Sequence, residues 1–418
     1  MNFTISKKNI SLYLVFFLII FLSPFARKYI SFAGSNTWGL LSGIFIMFFL
    51  YFKGFLNLKI KRVFLIVLAA AIVYSSVAIF INMEFNPYLN ISRYISSLFV
   101  LIFFLIGAAL FSSILEKISD KVFDKIINSV FLVLLSDGLI SIFIQIFKND
   151  RDFILFREPS HFAIVALPVL LYKVTTSTNR HAMLFIFLFL CIGLVMQSMT
   201  LIAGLALIFF MIFRVKTFIF IFIFIFALLV LTVEYIPDSN FQYYKDRVNI
   251  SNAKENSNFN ATLLVFLSGY EEAYLTVIST GAIGIGFQQL GFSKHLGEYR
   301  KILSDHNLDF INIYDGGFLG GKLVSEMGAL GVLIILVYIY RLITIRFFID
   351  FSPSPHNKNK KMFFYSSYVM FLLELFFKGS GYFTTTTFLF VVACFSLFAI
   401  DASSRWRMAP IITKRANV

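Results

Sequence analysis

Apolar runs about as long as a bilayer is thick recur along this chain and leave it few ways to fold. A helical span needs about 20 apolar residues. Candidates lie near 10–26, 37–52, 63–82, 94–115, 126–147, 161–173, 182–198, 200–213, 217–235, 323–340, 362–378 and 383–400, about twelve in all. Inside a bilayer the backbone polar groups must be satisfied within the spanning segment, which a helix achieves and an open strand does not. The expected fold class is therefore an all-α polytopic membrane protein. Charged residues make up 14% of the 418, against about a quarter in soluble domains. Cys191 and Cys394 lie within apolar runs, where they form neither a disulfide framework nor a metal cluster. The 56 phenylalanines read as lipid-facing filler or plain codon bias and point to no function. Three units are expected: a bundle over 1–235 with about nine spans, a long loop over 236–322, and a bundle over 323–418 with about three spans and a terminal tail. The pair of short runs around "MQSMT" reads either as two helices or as one broken helix.

The net charge of +14 raises the question of nucleic acid, and its distribution answers it. The basic residues sit between the apolar runs, with no basic stripe interleaved with aromatics, so nucleic acid is rejected as a partner. Arg27 and Lys28 follow the first run, no small-residue cleavage site is clear, and more spans come after, so this run reads as a span and not a cleavable signal. With Lys7 and Lys8 inside, alternation puts Lys53, Lys59, Lys61 and Arg62, then Lys117, Lys121 and Lys125, then Lys173, Arg180, Arg214 and Lys216 on the same side. Arg341, Arg346, Lys358, Lys360, Lys361 and the basic tail join them. Over short loops roughly 22 basic residues fall inside against about 7 outside, the bias that orients membrane proteins. Both termini are expected in the cytoplasm. Outside lie "FREPSHFAIVALP" at 156–168, the loop over 236–322 and "KGSGYFTTTT" at 378–387.

The outer loop is long enough to be functional. Residues 236–260 have a solvated composition. The stretch from 261 to 280 is apolar yet carries Glu271 and Glu272, which predicts an amphipathic helix at the membrane surface. Gly316, Gly321 and Lys322 match the spacing of a phosphate-binding loop, but Leu323 stands where Ser or Thr should hold magnesium and no strand precedes. Gly281, Gly284 and Gly286 lack the strand–helix–strand setting of a dinucleotide site. Asp150 and Asp152 flank Arg151, where a salt bridge is more ordinary than a divalent ion.

Four segments in this order and on this side resemble the bacterial O-antigen polymerases, the Wzy family, within the wider superfamily of O-antigen polymerases and ligases. They are "FREPSHFA", "LVFLSGYEEAYLTVISTGAIGIGFQQLG", "YDGGFLGGKLVSEMGALG" and "KGSGYFTTTTFLF", and the resemblance is sharpest over about 155–390. It implies a GT-C-like fold and a metal-independent glycosyltransferase without cofactor, on the periplasmic face of the bacterial inner membrane. The enzyme would move a growing glycan from undecaprenyl pyrophosphate onto a lipid-linked repeat unit, in contact with membrane lipid and with a separate chain-length regulator. About 20 residues separate His306 from Glu326, a longer spacing than ligase relatives have.

Such a reaction needs three things. A departing pyrophosphate needs its charge met, which the permanently charged, forked guanidinium does well: Arg157 first, Arg247 second. The acceptor hydroxyl needs a general base, for which His306, Glu158 and Asp315 are the candidates; histidine titrates near neutrality. The sugars need hydrogen bonds and stacking faces, offered by Tyr270, Gln288, Gln289 and Tyr314, with Lys378 nearby. Lys322 and Glu326 either order the site or form an ion pair used in folding. His161, one turn into its span, reads as a packing or lipid-contact residue. Rival readings are an O-antigen ligase and a lipid-linked oligosaccharide flippase. A flippase should show internal repeats and charges along its spans, whereas no convincing repeat exists and Glu374 is the clearest mid-span charge.

Overall fold

A computed structural model describes residues 7–30, 36–56, 62–84, 86, 88–148, 151–213, 261–292, 297–308 and 310–404. The expected span at 217–235, the polar segment 236–260, Arg247 and Asp150 lie outside the described residues. Every regular element among the described residues is helical. In chain order they are α1 (Lys7–Phe17), a π turn (Leu18–Leu22), α2 (Ser23–Tyr29), α3 (Asn36–Leu50), α4 (Phe52–Leu56), α5 (Arg62–Met83), α6 (Ile91–Lys117) and α7 (Asp120–Lys148). Then follow α8 (Pro159–Thr175), α9 (Asn179–Val195), α10 (Met199–Ile212), α11 (Ala261–Ser279), α12 (Glu298–Asp305), α13 (Leu319–Phe348), α14 (Lys360–Phe376) and α15 (Thr385–Ser404). Among the described residues, five stretches are long and apolar enough to cross a membrane: Ile10–Tyr29, α6, α7, α11 and α13. Shorter apolar helices, α8 to α10 among them, fill the bundle between them.

The short runs around "MQSMT" form two helices. Gln197 adopts φ +50°, Ser198 Oγ caps α10 by accepting the Leu201 N–H, and α9 packs back on α10. The helix α8 is buried on all sides: every residue from His161 to Thr175 is enclosed, which explains its uninterrupted apolar sequence.

Two features of the stretch 261–348 bear on the expected loop and the helix after it. The helix α11 is long and apolar enough to be counted as a span, but its middle is occupied. Glu271 accepts the N–H groups of Glu298 and Tyr299 at 2.7 and 2.9 Å, and Glu272 pairs with Arg300 Nε at 3.1 Å. The polar α12 is thereby fastened halfway along α11. Carrying Glu298, Lys301 and Asp305 to mid-bilayer would be costly, so an interfacial α11 suits the chemistry better than a spanning one.

Second, α13 is two helices in one. Gly328 has φ 54° and ψ −130°, and a Cβ on Gly331 would lie 2.4 Å from the Leu323 carbonyl oxygen, so the chain doubles back at this elbow. The part beyond the elbow, Ala329–Phe348, has 20 residues, about 30 Å of helix and enough to cross a membrane, and begins six residues beyond the expected start at 323. Lys322 and Glu326 consequently lie on the segment before the elbow.

The threonine tract has a structural job. Pro168 has no N–H to give to the Ile164 carbonyl one turn earlier, and Thr386 Oγ1 donates to it instead at 3.3 Å. Pro24 likewise cannot serve the π turn, and Thr385 Oγ1 donates to the Ile19 carbonyl at 3.3 Å. Glu374, expected mid-span, stands near the end of α14 and accepts Thr384 Oγ1 at 2.5 Å. In a bilayer such freed carbonyls need a neighbouring donor. "TTTT" supplies donors to two proline-broken helices at once.

Loops gather in two sets at opposite ends of the same helices. At one end Lys360 Nζ donates to the carbonyls of Leu115, Glu116 and Ile118, and Lys173 Nζ bonds Asn128. At the other end lie the start of α8, residues 281–292, 314–322 and 378–384.

Candidate functional site

The loop that carries Arg157 is fastened from two sides. Asp137 of α7, itself buried, accepts the N–H groups of Ile154 and Leu155 at 2.9 and 3.2 Å. Lys28 pairs with Asp152 at 3.2 Å and donates to the Phe153 carbonyl, so Asp152 is engaged by Lys28. Phe153 and Phe156 are sunk in the core. Arg157 emerges at the rim, exposed, with no ion pair or hydrogen bond among the described residues.

Around it stands a mixed cluster from three distant parts of the chain. Glu158, the N-cap of α8, pairs with Lys378 at 3.4 Å. Burial pushes the Glu158 carboxyl up, but Lys378, His161 and Arg27 outweigh that and hold it at about 2. A carboxylate held so low is a poor proton acceptor at neutral pH. The geometry makes Glu158 a partner for cations. Because its folded value lies below its ordinary one, its contribution to stability is present above about pH 4.5 and is lost as pH falls through about 2. The melting temperature of the purified protein should accordingly hold from pH 7 to about 4.5 and then fall, and Glu158→Gln should flatten the fall. A slope that is the same in the variant would remove Glu158 from the account.

His161 is more central than its sequence position implied. Its Nε2 lies 3.2 Å from Arg27 Nη1 and 3.1 Å from Ser380 Oγ. A guanidinium only donates, so Nε2 accepts, the ring is neutral and its proton is on Nδ1. His161 thus ties α2, α8 and the 378–384 turn together and aims Arg27 at the cluster. The reading as a lipid-contact residue is corrected: the ring is 5% exposed and faces polar groups.

A second, adjoining cluster is built on the elbow of α13. Lys322, fully buried, donates to the Tyr314 carbonyl at 2.6 Å and to Gln288 Oε1 at 3.2 Å. It lies 3.6 Å from Asp315 Oδ1 and 3.9 Å from Glu326 Oε1. Glu326 also accepts the N–H groups of Gln288 and Leu290 at 2.8 and 3.2 Å. Lys322 and Glu326 thus face each other as an ion pair, and Glu326 holds the glycine loop. That loop is pinned further by Tyr74 on the Ile283 carbonyl and Asn82 on that of Gly284. Gln289 exchanges two bonds with the Asn90 backbone at 2.8 and 3.1 Å, so its amide is spent on structure. Gly381 links the clusters: a Cβ there would lie 2.7 Å from Asp315 Oδ1 and 3.9 Å from Lys322 Nζ.

Aromatic faces border the cations. Tyr270 stacks on Phe318 with centroids 4.3 Å apart and keeps 44% of its surface exposed. Tyr314, 42% exposed, lies beneath the Arg93 guanidinium at 4.2 Å. Asp315 is 38% exposed between Lys322 and Gly381. His306 caps α12 and donates from Nδ1 to the Ile302 carbonyl at 2.9 Å; none of the Lys322 contacts involves it. Arg247 is outside the described residues.

Arg27, Asn90, Arg93, His161, Ser380 and Tyr382 belong to these clusters, though sequence reasoning passed them over or ranked them low. One signal pointed at some of them. On the topology expected from the sequence, Arg27, Lys28 and Arg93 are basic residues on the side poor in Lys and Arg, and a cation retained against that bias needs a reason.

Fold and site together define an all-helical chain with membrane-spanning helices and an ionised, aromatic-lined cluster at one end. No protein-family model matches this chain, and no curated protein matches it either.

Proposed function

We propose that this protein is a polysaccharide polymerase of the Wzy type. It transfers a growing glycan from undecaprenyl pyrophosphate to a lipid-linked O-antigen repeat unit at the periplasmic face of the inner membrane. Twelve spans, cytoplasmic termini and a GT-C-like arrangement belong to this reading. The observation that carries it is the cation set Arg27, Arg157 and Lys378, with Arg157 exposed and making no ion pair among the described residues, and with exposed Tyr270 and Tyr314 bordering the adjoining cluster. A pyrophosphate diester is the anionic leaving group such a corner would stabilise without a metal.

In the transfer, the acceptor hydroxyl oxygen bonds to the donor's anomeric carbon, the bond from that carbon to the pyrophosphate oxygen breaks, and the electron pair leaves with the lipid pyrophosphate. The hydroxyl proton goes to a base. Asp315, partly exposed beside Lys322 and Gly381, is the carboxylate best placed to take it. Glu158 is held too low, and His306 is bonded to its own helix. Tyr270 and Tyr314 offer stacking faces for the sugars.

The lipopolysaccharide banding of a deletion strain tests the reading. Loss of a polymerase leaves cores capped with one repeat unit. Bare core with accumulated lipid-linked polymer would identify a ligase instead, and a normal ladder would refute both.

A further inference from the structure

A cavity of about 180 Å³ lies between α5, α6 and the start of α15, lined almost wholly by carbon and partly open. Its α6 wall is Leu98, Leu101, Phe104 and Leu105. Arg93 precedes Leu101 by two times four residues on the same helix, so it stands on the same face about 12 Å nearer the outer end. Its guanidinium meets Gln288 Oε1 at 3.4 Å and the rings of Tyr314 and Phe292 at 4.2 and 5.4 Å. Among the described residues no carboxylate pairs with it. Lys322, by contrast, already has Asp315 and Glu326. Tyr382 lines the cavity and has Lys322 Nζ 5.1 Å from its ring, and Phe287, also in the lining, precedes Gln288. An apolar slot thus opens beneath a cation with no carboxylate partner among the described residues, on the Tyr382 side of Gly381, whereas Arg27 and His161 gather with Ser380 on the other.

We propose that this slot and Arg93 form a second lipid site, which takes the first prenyl units and the pyrophosphate of the acceptor, a polyprenyl-linked repeat unit. The inference rests on the transfer reading above and adds a separate seat for the acceptor lipid, so that two lipid-linked glycans meet across Gly381. The volume resembles that of an engineered cavity of about 150 Å³ that takes a benzene ring, which corresponds to one or two five-carbon units. The rest of the chain stays in the bilayer. The charge of Arg93 selects an anionic head, and its aromatic bed holds the guanidinium plane in place.

The test counts undecaprenyl pyrophosphate molecules bound to the delipidated full-length protein by native mass spectrometry. Two per chain are expected. Arg93→Gln and, independently, Ala71→Phe, which fills the slot from α5, should each weaken one of the two by about tenfold or more, while Arg157→Gln weakens the other. Arg93→Lys and unchanged melting temperatures control for folding. A single bound lipid that is lost with Arg157→Gln and unaffected by Arg93→Gln would overturn the second site and leave the transfer reading standing. Full displacement from the slot by phosphatidylglycerol would make it an ordinary phospholipid crevice and also overturn the proposal. No binding at either place would refute both the transfer reading and this one.

Discussion

Gly328→Leu is expected to leave little folded protein in the membrane. The backbone there, φ 54° and ψ −130°, is open to glycine and hostile to any residue with a Cβ. A Cβ would also lie 2.1 Å from the Ala282 carbonyl oxygen and 2.6 Å from the Ile283 carbonyl carbon. These are backbone atoms, so no rotamer change relieves the contact. Moving the glycine loop away would break the bonds from Ile285 N to the Ser325 carbonyl, from Gly286 N to that of Glu326 and from Ala329 N to that of Ala282, all at 2.8–3.0 Å. Backbone strain alone costs about 1–3 kcal/mol, and lost bonds add about 1 kcal/mol each, against a total stability of about 5–15 kcal/mol. Gly193→Ala is the control, because a Cβ there meets Leu201 at an ordinary 3.4 Å. Yield and melting temperature in detergent decide the matter, and a Gly328→Leu protein that melts like the parent would refute the elbow.

Arg157→Ala is expected to abolish polymer while leaving the protein at its normal level. The side chain is exposed and makes no ion pair or hydrogen bond among the described residues, so stability should change by no more than about 0.5 kcal/mol. Loss of a charge aimed at a departing anion costs about 10²–10³ in rate. In cells this predicts cores carrying a single repeat unit. Arg157→Lys keeps the charge and loses the fork, and should restore short chains only. Arg27→Ala does not separate the two effects, since it also strips His161 of a donor. Normal ladders in Arg157→Ala at normal protein level would exclude this residue from the chemistry.

Much of the architecture was legible because hydropathy is local. The apolar run at 94–115 announced α6 and that at 126–147 announced α7, since each buries or presents to lipid its own residues whatever its neighbours do. The break within α13 was not legible because Gly328 bends the chain against Ala282 and Ile283, some 45 residues earlier, which no local window detects. The site was legible in part. Arg157 and Glu158 announced themselves as charges at an apolar boundary, and Lys322 and Glu326 as a pair one turn apart. Yet Glu158 was as credible a base as a partner until Lys378, Arg27 and His161 surrounded it.

By itself the sequence determined that this chain is helical and bound for a membrane, and it marked where polar segments interrupt its apolar runs, because free energies of transfer add residue by residue along a run. Only the tertiary structure decided that His161 serves Arg27, that the threonine tract serves two proline-freed carbonyls, and that Arg93 meets Gln288 with no carboxylate partner among the described residues. These depend on contacts between residues 19 and 385, 27 and 161, or 93 and 288, and such pairings follow from how helices pack, which no single segment encodes.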